Sequence, residues 1–326
     1  MSPENTSTGN RVWSIGSMTM DVTTFSERLP KPGETLIGDH FAMVPGGKGA
    51  NQAVAAARAG ADTVMVGRVG DDLFADLLIE NLRSEGIDDS SVSRVEKTTS
   101  GVAHIRVDGK GENDIVMVPQ ANKAMTPEVV EAAIASARPG DVAMLQLEIP
   151  PETTVAAARM CAEKGMLVIL DPAPAANLDG AVWAGVHAVT PNEHEAHLLT
   201  GIEVTDSESA VRAGRWFLDQ GVRHAIITMA GAGAVVVSAG EDGERGDPRV
   251  GEFSPFTVDA VDTTAAGDAF AGALAGGLAA GNDWDDAIVR AMAAGALAVT
   301  VEGASPSLPT AEAIEKLLAD QPRCTA

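Results

Sequence analysis

Tyrosine is absent from this 326-residue chain, and only seven phenylalanines and four tryptophans supply its rings. Alanine and glycine are abundant instead, a composition that suits helices packed closely on a sheet. Basic residues are also few: 23 Lys and Arg stand against 46 Asp and Glu, a net charge of -23. That balance opposes binding to nucleic acid or to an anionic membrane. An anionic ligand can bind only where a helix N-terminus, a placed lysine or a bound cation reverses the local field. The two cysteines, Cys161 and Cys324, are too few for a disulfide framework or a zinc site. Cys161 lies in a helical stretch and reads as core packing. No apolar run reaches the roughly 18 residues of a membrane span. The nearest, "AFAGALAGGLAAG" (269–281), is short and built of small residues. The N-terminus carries neither the basic nor the apolar region of a signal peptide, so the "NTS" at Asn5 has little meaning as a sequon and a cytoplasmic protein is expected.

What is present is a hydrophobic content of 45%, enough for a full core, on a length that large α/β domains reach undivided. Residues 1–10 form a polar tail expected to be disordered. "RVWSIGS" reads as a first strand, "ETLIGDHFAMV" (34–44) has strand character, and a helix begins near Lys48. A strand at 62–70 and a helix at "DLFADLLIENLRSEG" follow. "GVAHIRVD" and "NDIVMVP" read as a hairpin around "GKGE". Beyond residue 127, the apolar strands "DVAMLQLE", "MLVILDPAP", "HAVTPN" and "HAIITMA" alternate with helices starting near Pro151, Glu193 and Ser207. This alternation predicts an α/β fold, a large, doubly wound, mostly parallel sheet with helices on both faces. The two early β-rich patches, about 17–45 and 100–120, do not fit it and predict a smaller appended sheet, a lid or a dimer contact. "AGEDGERGDPRVG" (239–251) reads as an exposed turn, and the chain after Asp262 as mostly helical.

Two stretches carry chemistry. "VPGGKGANQAVAAARAGA" (44–61) places Lys48 between glycines at the mouth of a helix. A Walker loop puts its lysine after the last glycine, with Ser or Thr next. Here Gly49, Ala50 and Asn51 follow, so the segment is another device or a tight turn. "AVDTTAAGDAFAGALAGG" (260–277) places Asp268 at a helix start behind Ala265, Ala266 and Gly267. Small residues let backbone N–H groups approach an anion, and the helix dipole adds to the attraction. Asp268 there is either an acid stabilising the helix terminus or a base beside an anion hole for a transferring phosphoryl group.

"GGKGANQAVAAARAGA", "VGRVGDDLFADLL", "TPNEHEAHLLTG" and "AVDTTAAGDAFAGAL", in that order, resemble the ribokinase-family (PfkB-type) sugar kinases, close to the ribokinase branch. The resemblance covers residues 11–326 and implies ATP-dependent phosphorylation of D-ribose at O5. It implies Asp268 as base, with Ala265 to Gly267 as anion hole. Thr19, Met20, Asp21, Gly47, Lys48, Gly49, Ala50, Asn51 and Glu148 would hold the sugar, and Gly46 and Gly47 would let backbone approach it. Asn192 and the run Thr228, Met229, Ala230, Gly231, Ala232, Gly233, with Gly267, would hold ATP, and Glu195 would meet its magnesium through water. Potassium would lie among Asp262, Thr264, Ala298, Val301, Gly303 and Ser307. A homodimer through the lid is implied as well.

The pattern departs from the family twice. Thr19 stands where Asn is usual, which keeps 2-deoxyribose, another pentose or a nucleoside in play as substrate. Ala230 stands where glycine is usual. A non-catalytic sugar sensor would be expected to lose part of the Asp268 motif. A dinucleotide oxidoreductase is excluded because no G-x-G-x-x-G follows the first strand.

Overall fold

The computed structural model describes residues 9–175, 180–240 and 247–322. Most of the expected N-terminal tail, Asn5, Cys324 and the centre of the 239–251 turn lie outside them. In chain order, the first half contains β1 (Val12–Ile15), β2 (Thr19–Phe25), β3 (His40–Gly46), α1 (Lys48–Arg58), β4 (Thr63–Val69), α2 (Leu73–Ser84), β5 (Asp88–Arg94), β6 (Gly101–Val107), β7 (Asn113–Val118) and α3 (Pro127–Ala133). The second half contains β8 (Val142–Leu145), α4 (Pro151–Glu163), β9 (Leu167–Leu170), β10 (Ala188–Val189), α5 (Glu193–Thr200), α6 (Ser207–Asp219), β11 (His224–Thr228), β12 (Ala234–Ser238), β13 (Arg249–Phe253), α7 (Ala266–Ala279), α8 (Trp284–Ala298) and α9 (Ala311–Asp320).

Nine strands form the large sheet in the order β13-β12-β11-β10-β9-β8-β1-β4-β5. From β11 to β5 all neighbours are parallel, and β12 and β13 add an antiparallel edge. Successive side chains of the central strands serve opposite faces. Val142 and Met144 join a core with α1, α2, α7, α8 and α9, while Ala143 and Leu145 join one with α3, α4, α5 and α6. Burial on both faces is why these strands read as unbroken apolar runs. Cys161 is fully buried in the second core, as expected of a packing residue, and burial pushes its thiol up to about 12.

The smaller sheet has the order β3-β2-β6-β7, with β2 and β6 parallel and the outer pairs antiparallel. Asp21 lies inside β2, whose mixed Thr, Met and Val sequence carries no single period. Two local expectations need correction. Strand character assigned to 34–44 begins only at His40, since residues 34–39 take no ladder. The turn expected across 239–251 gives way to β13 at Arg249, an exposed edge strand of mixed polarity. The apolar run at 269–281 forms α7, most of it buried beside α1 and α8, and among the described residues no helix is long and apolar enough to cross a membrane.

Candidate active site

Close contact between α1 and α7 builds the centre of the site. A Cβ on Gly272 would lie 2.4 Å from Ala55 Cβ and 2.7 Å from the Ala56 nitrogen. Only small residues allow that approach, and it carries the first turn of each helix to the same point. Asp268, 4% exposed, accepts from Asn51 Nδ2 at 3.2 Å and from Gln52 Nε2 at 3.1 Å. Lys48 Nζ lies 3.7 Å from Asp268 and 3.4 Å from Asp171 at the end of β9. Burial alone would lower the Lys48 ammonium, but Asp171, Asp268, Glu148 and Glu195 outweigh it and the net shift is upward. Lys48 therefore stays charged. Asp171 is also pushed upward, first by burial and then by Asp268 and Glu195, against the pull of Lys48. One ammonium does not neutralise two buried carboxylates.

The mouth of α1 is held from below by Glu148, just past β8. Its Oε2 accepts from the Lys48 backbone N–H at 2.9 Å and from Ser17 Oγ at 2.5 Å, so this carboxylate sits on the helix N-terminus. Gly47, with φ +90, and Gly49 are required here: a Cβ on Gly49 would fall 2.6 Å from Ser17 N. Gly46 makes room for Asp21: a side chain there would collide with the Asp21 carboxylate, so its missing Cβ admits the acid. Burial first, then Glu148 and Asp268, push Asp21 up to about 7, against a hydrogen bond from Thr19 Oγ1 at 2.9 Å.

Asn192 and Glu195 form a capping box on α5: Asn192 Oδ1 accepts from Glu195 N, and Glu195 Oε2 from Asn192 N, both at 2.9 Å. A backbone bridge joins Asn192 to Thr228, which places it beside the turn 228–233. In that turn Met229 N donates to Gly233 O at 2.8 Å, and Ala230 has φ +43. Asp262 ties two loops together, accepting from Thr264 N and Oγ1 through Oδ1 and from Gly303 N through Oδ2 at 2.8 Å. Thus Asp262, Thr264 and Gly303 adjoin. Ala298 O already accepts from Val301 N, and Ser307 Oγ donates to Ala304 O. Ala265 opens α7 with φ +60, and Ala266 N donates to Thr263 O at 3.3 Å. His194, in the first turn of α5, is exposed.

Four residues of this region carry no signal that the sequence reading used. Asn122, 1% exposed, bonds both the N–H and the C=O of Met18 and pins the passage from β1 to β2. Ser17 and Gln52 read as strand-end and helix residues. Asp171 follows an apolar strand, the place where ligands of such sheets bind, and that rule could have found it.

A family model described as pfkB family carbohydrate kinase matches residues 10–311. The chain belongs to the pfkB family of carbohydrate kinases. It is 38% identical to the ribokinase of Haemophilus influenzae over 296 residues, 91% of this chain and 94% of that one. It is also 38% identical to a deoxyribokinase of Salmonella typhi over 305 residues, 93% and 97% of the two chains. The structure of Arabidopsis thaliana ribokinase complexed with ribose and ATP superposes with a TM-score of 0.84 at 30% identity, covering 95% of this chain and 99% of that one. The protein is a sugar kinase, a phosphotransferase, and the fold is the one that the alternation of strands and helices predicted.

Proposed function

We propose that this pfkB-family kinase phosphorylates D-ribose at O5 with ATP. The observation that carries the reading is the buried Asp268 carboxylate at the start of α7, beside the Lys48 ammonium and the Asn51 amide. Asp268 takes the hydroxyl proton as the sugar oxygen bonds to the γ-phosphorus and the bond to the ADP oxygen breaks in line. The first-turn N–H groups of α7, around Ala265 to Gly267, lie where a helix N-terminus stabilises the transferring charge. Asp21 accepts from the sugar's secondary hydroxyls, Glu148 faces its anomeric end, and Thr19, Met20 and residues 47–51 enclose it. The small sheet closes over the site and excludes water. Exposed Phe41, Met43 and Val116, on the face of that sheet opposite Asp21, support a homodimer through it.

ATP lies against Asn192 and the turn 228–233. Among the described residues no group of three or more His, Cys, Asp or Glu could hold a metal. The residues still fit magnesium carried in on the nucleotide: the capping box engages Glu195 Oε2 only through a backbone N–H, and its carboxylate can meet a metal-bound water. Magnesium supplies neutralisation of the phosphate charge. Potassium fits the loops joined by Asp262, whose donors are all oxygens and include one carboxylate.

A second reading, 2-deoxyribose as the preferred sugar, is favoured by Thr19. Its hydroxyl is committed to Asp21 at 2.9 Å and does not replace the reach of an asparagine amide. An ADP-release assay over ribose, 2-deoxyribose, fructose, adenosine and uridine tests both readings. Highest kcat/KM on ribose supports the first; preference for deoxyribose supports the second. Thr19→Asn is expected to raise the ribose-to-deoxyribose ratio by about tenfold, within the range of one matched hydrogen bond. An unchanged ratio removes Thr19 from the account of specificity.

A further inference from the structure

Two buried side chains complete the cluster around Asp268 yet have no part in the reaction as written. Asp171 is 5% exposed and Gln52 is fully buried. The Gln52 amide nitrogen donates to Asp171 Oδ2 at 2.7 Å and to Asp268 Oδ1 at 3.1 Å, so its two N–H groups span the two carboxylates. Lys48 Nζ spans the same pair. One neutral bridge and one charged bridge thus hold Asp171 and Asp268 together, although they come from a strand end and a helix start 97 residues apart by number.

The orientation of Gln52 is itself imposed. Its carbonyl accepts from Gln146 Nε2 at 2.6 Å, so its NH2 must face the carboxylates. Gln146 Oε1, in turn, is buried without a partner among the described residues and lies against Gly16, where a Cβ would fall 2.0 Å away. A buried polar atom left unpaired costs stability, and an apolar residue in place of Gln146 would avoid it. The arrangement thus fixes which way an amide points, at the expense of the fold.

We propose that Asp171 and Gln52 are positioning residues for phosphoryl transfer, Asp171 holding the Lys48 ammonium and Gln52 the Asp268 carboxylate at the point where base, cation and phosphoryl group meet. The consequence for catalysis rests on the kinase reading above; the contacts do not. Lys48 is a flexible side chain, a quarter exposed, surrounded by the further carboxylates Glu148 and Glu195. Asp171 is the nearest of its two ion-pair partners and draws it toward Asp268 rather than outward. Glu195 also lies close enough to raise Asp171, so the competing role for Asp171 is an action on the magnesium of the nucleotide.

A double-mutant cycle separates the two roles. Asp171→Asn, Lys48→Met and the double variant are compared with wild type at saturating ATP, magnesium and sugar. Asp171→Asn is expected to lower kcat by about tenfold, with the sugar KM within about twofold, and to change kcat by less than about twofold in the Lys48→Met background. Equal losses in both backgrounds overturn the proposal and give Asp171 a role independent of Lys48. Acetylation of each lysine by acetic anhydride, mapped by peptide mass spectrometry, tests the same contact without turnover. Asp171→Asn is expected to raise labelling of Lys48 severalfold and to leave other lysines unchanged; unchanged Lys48 labelling overturns the proposal. If wild type phosphorylates no sugar, the kinase reading fails while the labelling still decides the contact. Should Asp171→Asn not fold, Gln52→Met against Asp268→Asn replaces it: a loss seen only when Asp268 is present supports the proposal, and an equal loss in its absence overturns it.

Discussion

Gly46 and Asp21 occupy one space: a Cβ on the glycine would fall 2.2 Å from Oδ2 of the carboxylate. The fold thus gives up a side chain to bury an acid, and the acid is pushed from 3.8 to about 7, by burial first and by Glu148 and Asp268 after it. The folded state therefore holds a proton that the unfolded state has lost between those values. Its stabilising contribution is full below about pH 4 and disappears as pH rises through about 7. Asp21→Asn removes that dependence. The unliganded variant is expected to gain several degrees of Tm over wild type at pH 8 and little at pH 4.5. An equal difference at both values contradicts the assignment.

Ala230 adopts φ +43 in the turn that faces the proposed nucleotide site. A left-handed conformation costs a residue with a Cβ about 1–2 kcal/mol, while glycine's extra unfolded freedom costs about 0.4–1 kcal/mol. The first effect is larger. Ala230→Gly should raise Tm by about 1–2 °C at a sensitivity of roughly 2–4 °C per kcal/mol. A lower Tm contradicts the strain.

Asp262 joins the loop before α7 to the loop after α8 through its bond from Gly303. We propose that a monovalent cation held among the oxygens of these loops shapes the N-terminus of α7. Replacing potassium by choline is expected to depress turnover severalfold, and Asp262→Asn to erase the difference between the two ions. An enzyme indifferent to potassium removes the cation from the account.

The large sheet was legible because its central strands are buried on both faces and read as short apolar runs between helices. The two edge strands of that sheet were not. Asp88–Arg94, sequence DDSSVSR, is mostly half-exposed and polar, and Arg249–Phe253 is an outer edge. At the site, Lys48, Asn51 and Asp268 were legible from their motifs, and the fold brings the three together. Gln52 was not, because its contacts with Asp171 and Asp268 span 119 and 216 residues. Nothing in a helical alanine-rich segment distinguishes a glutamine facing the core from one facing water. Asn122 was hidden for the same reason, meeting Met18 across 104 residues.

The most direct test of the account compares wild type with Asp268→Asn, an isosteric change that removes the proposed base. Turnover by coupled ADP release and ribose affinity by calorimetry are measured on the same preparations. The expected result is a loss of turnover of about 10²–10⁴-fold, the range of general-base catalysis, with sugar affinity within about threefold. Near-normal turnover in the variant would contradict the assignment of Asp268 as base.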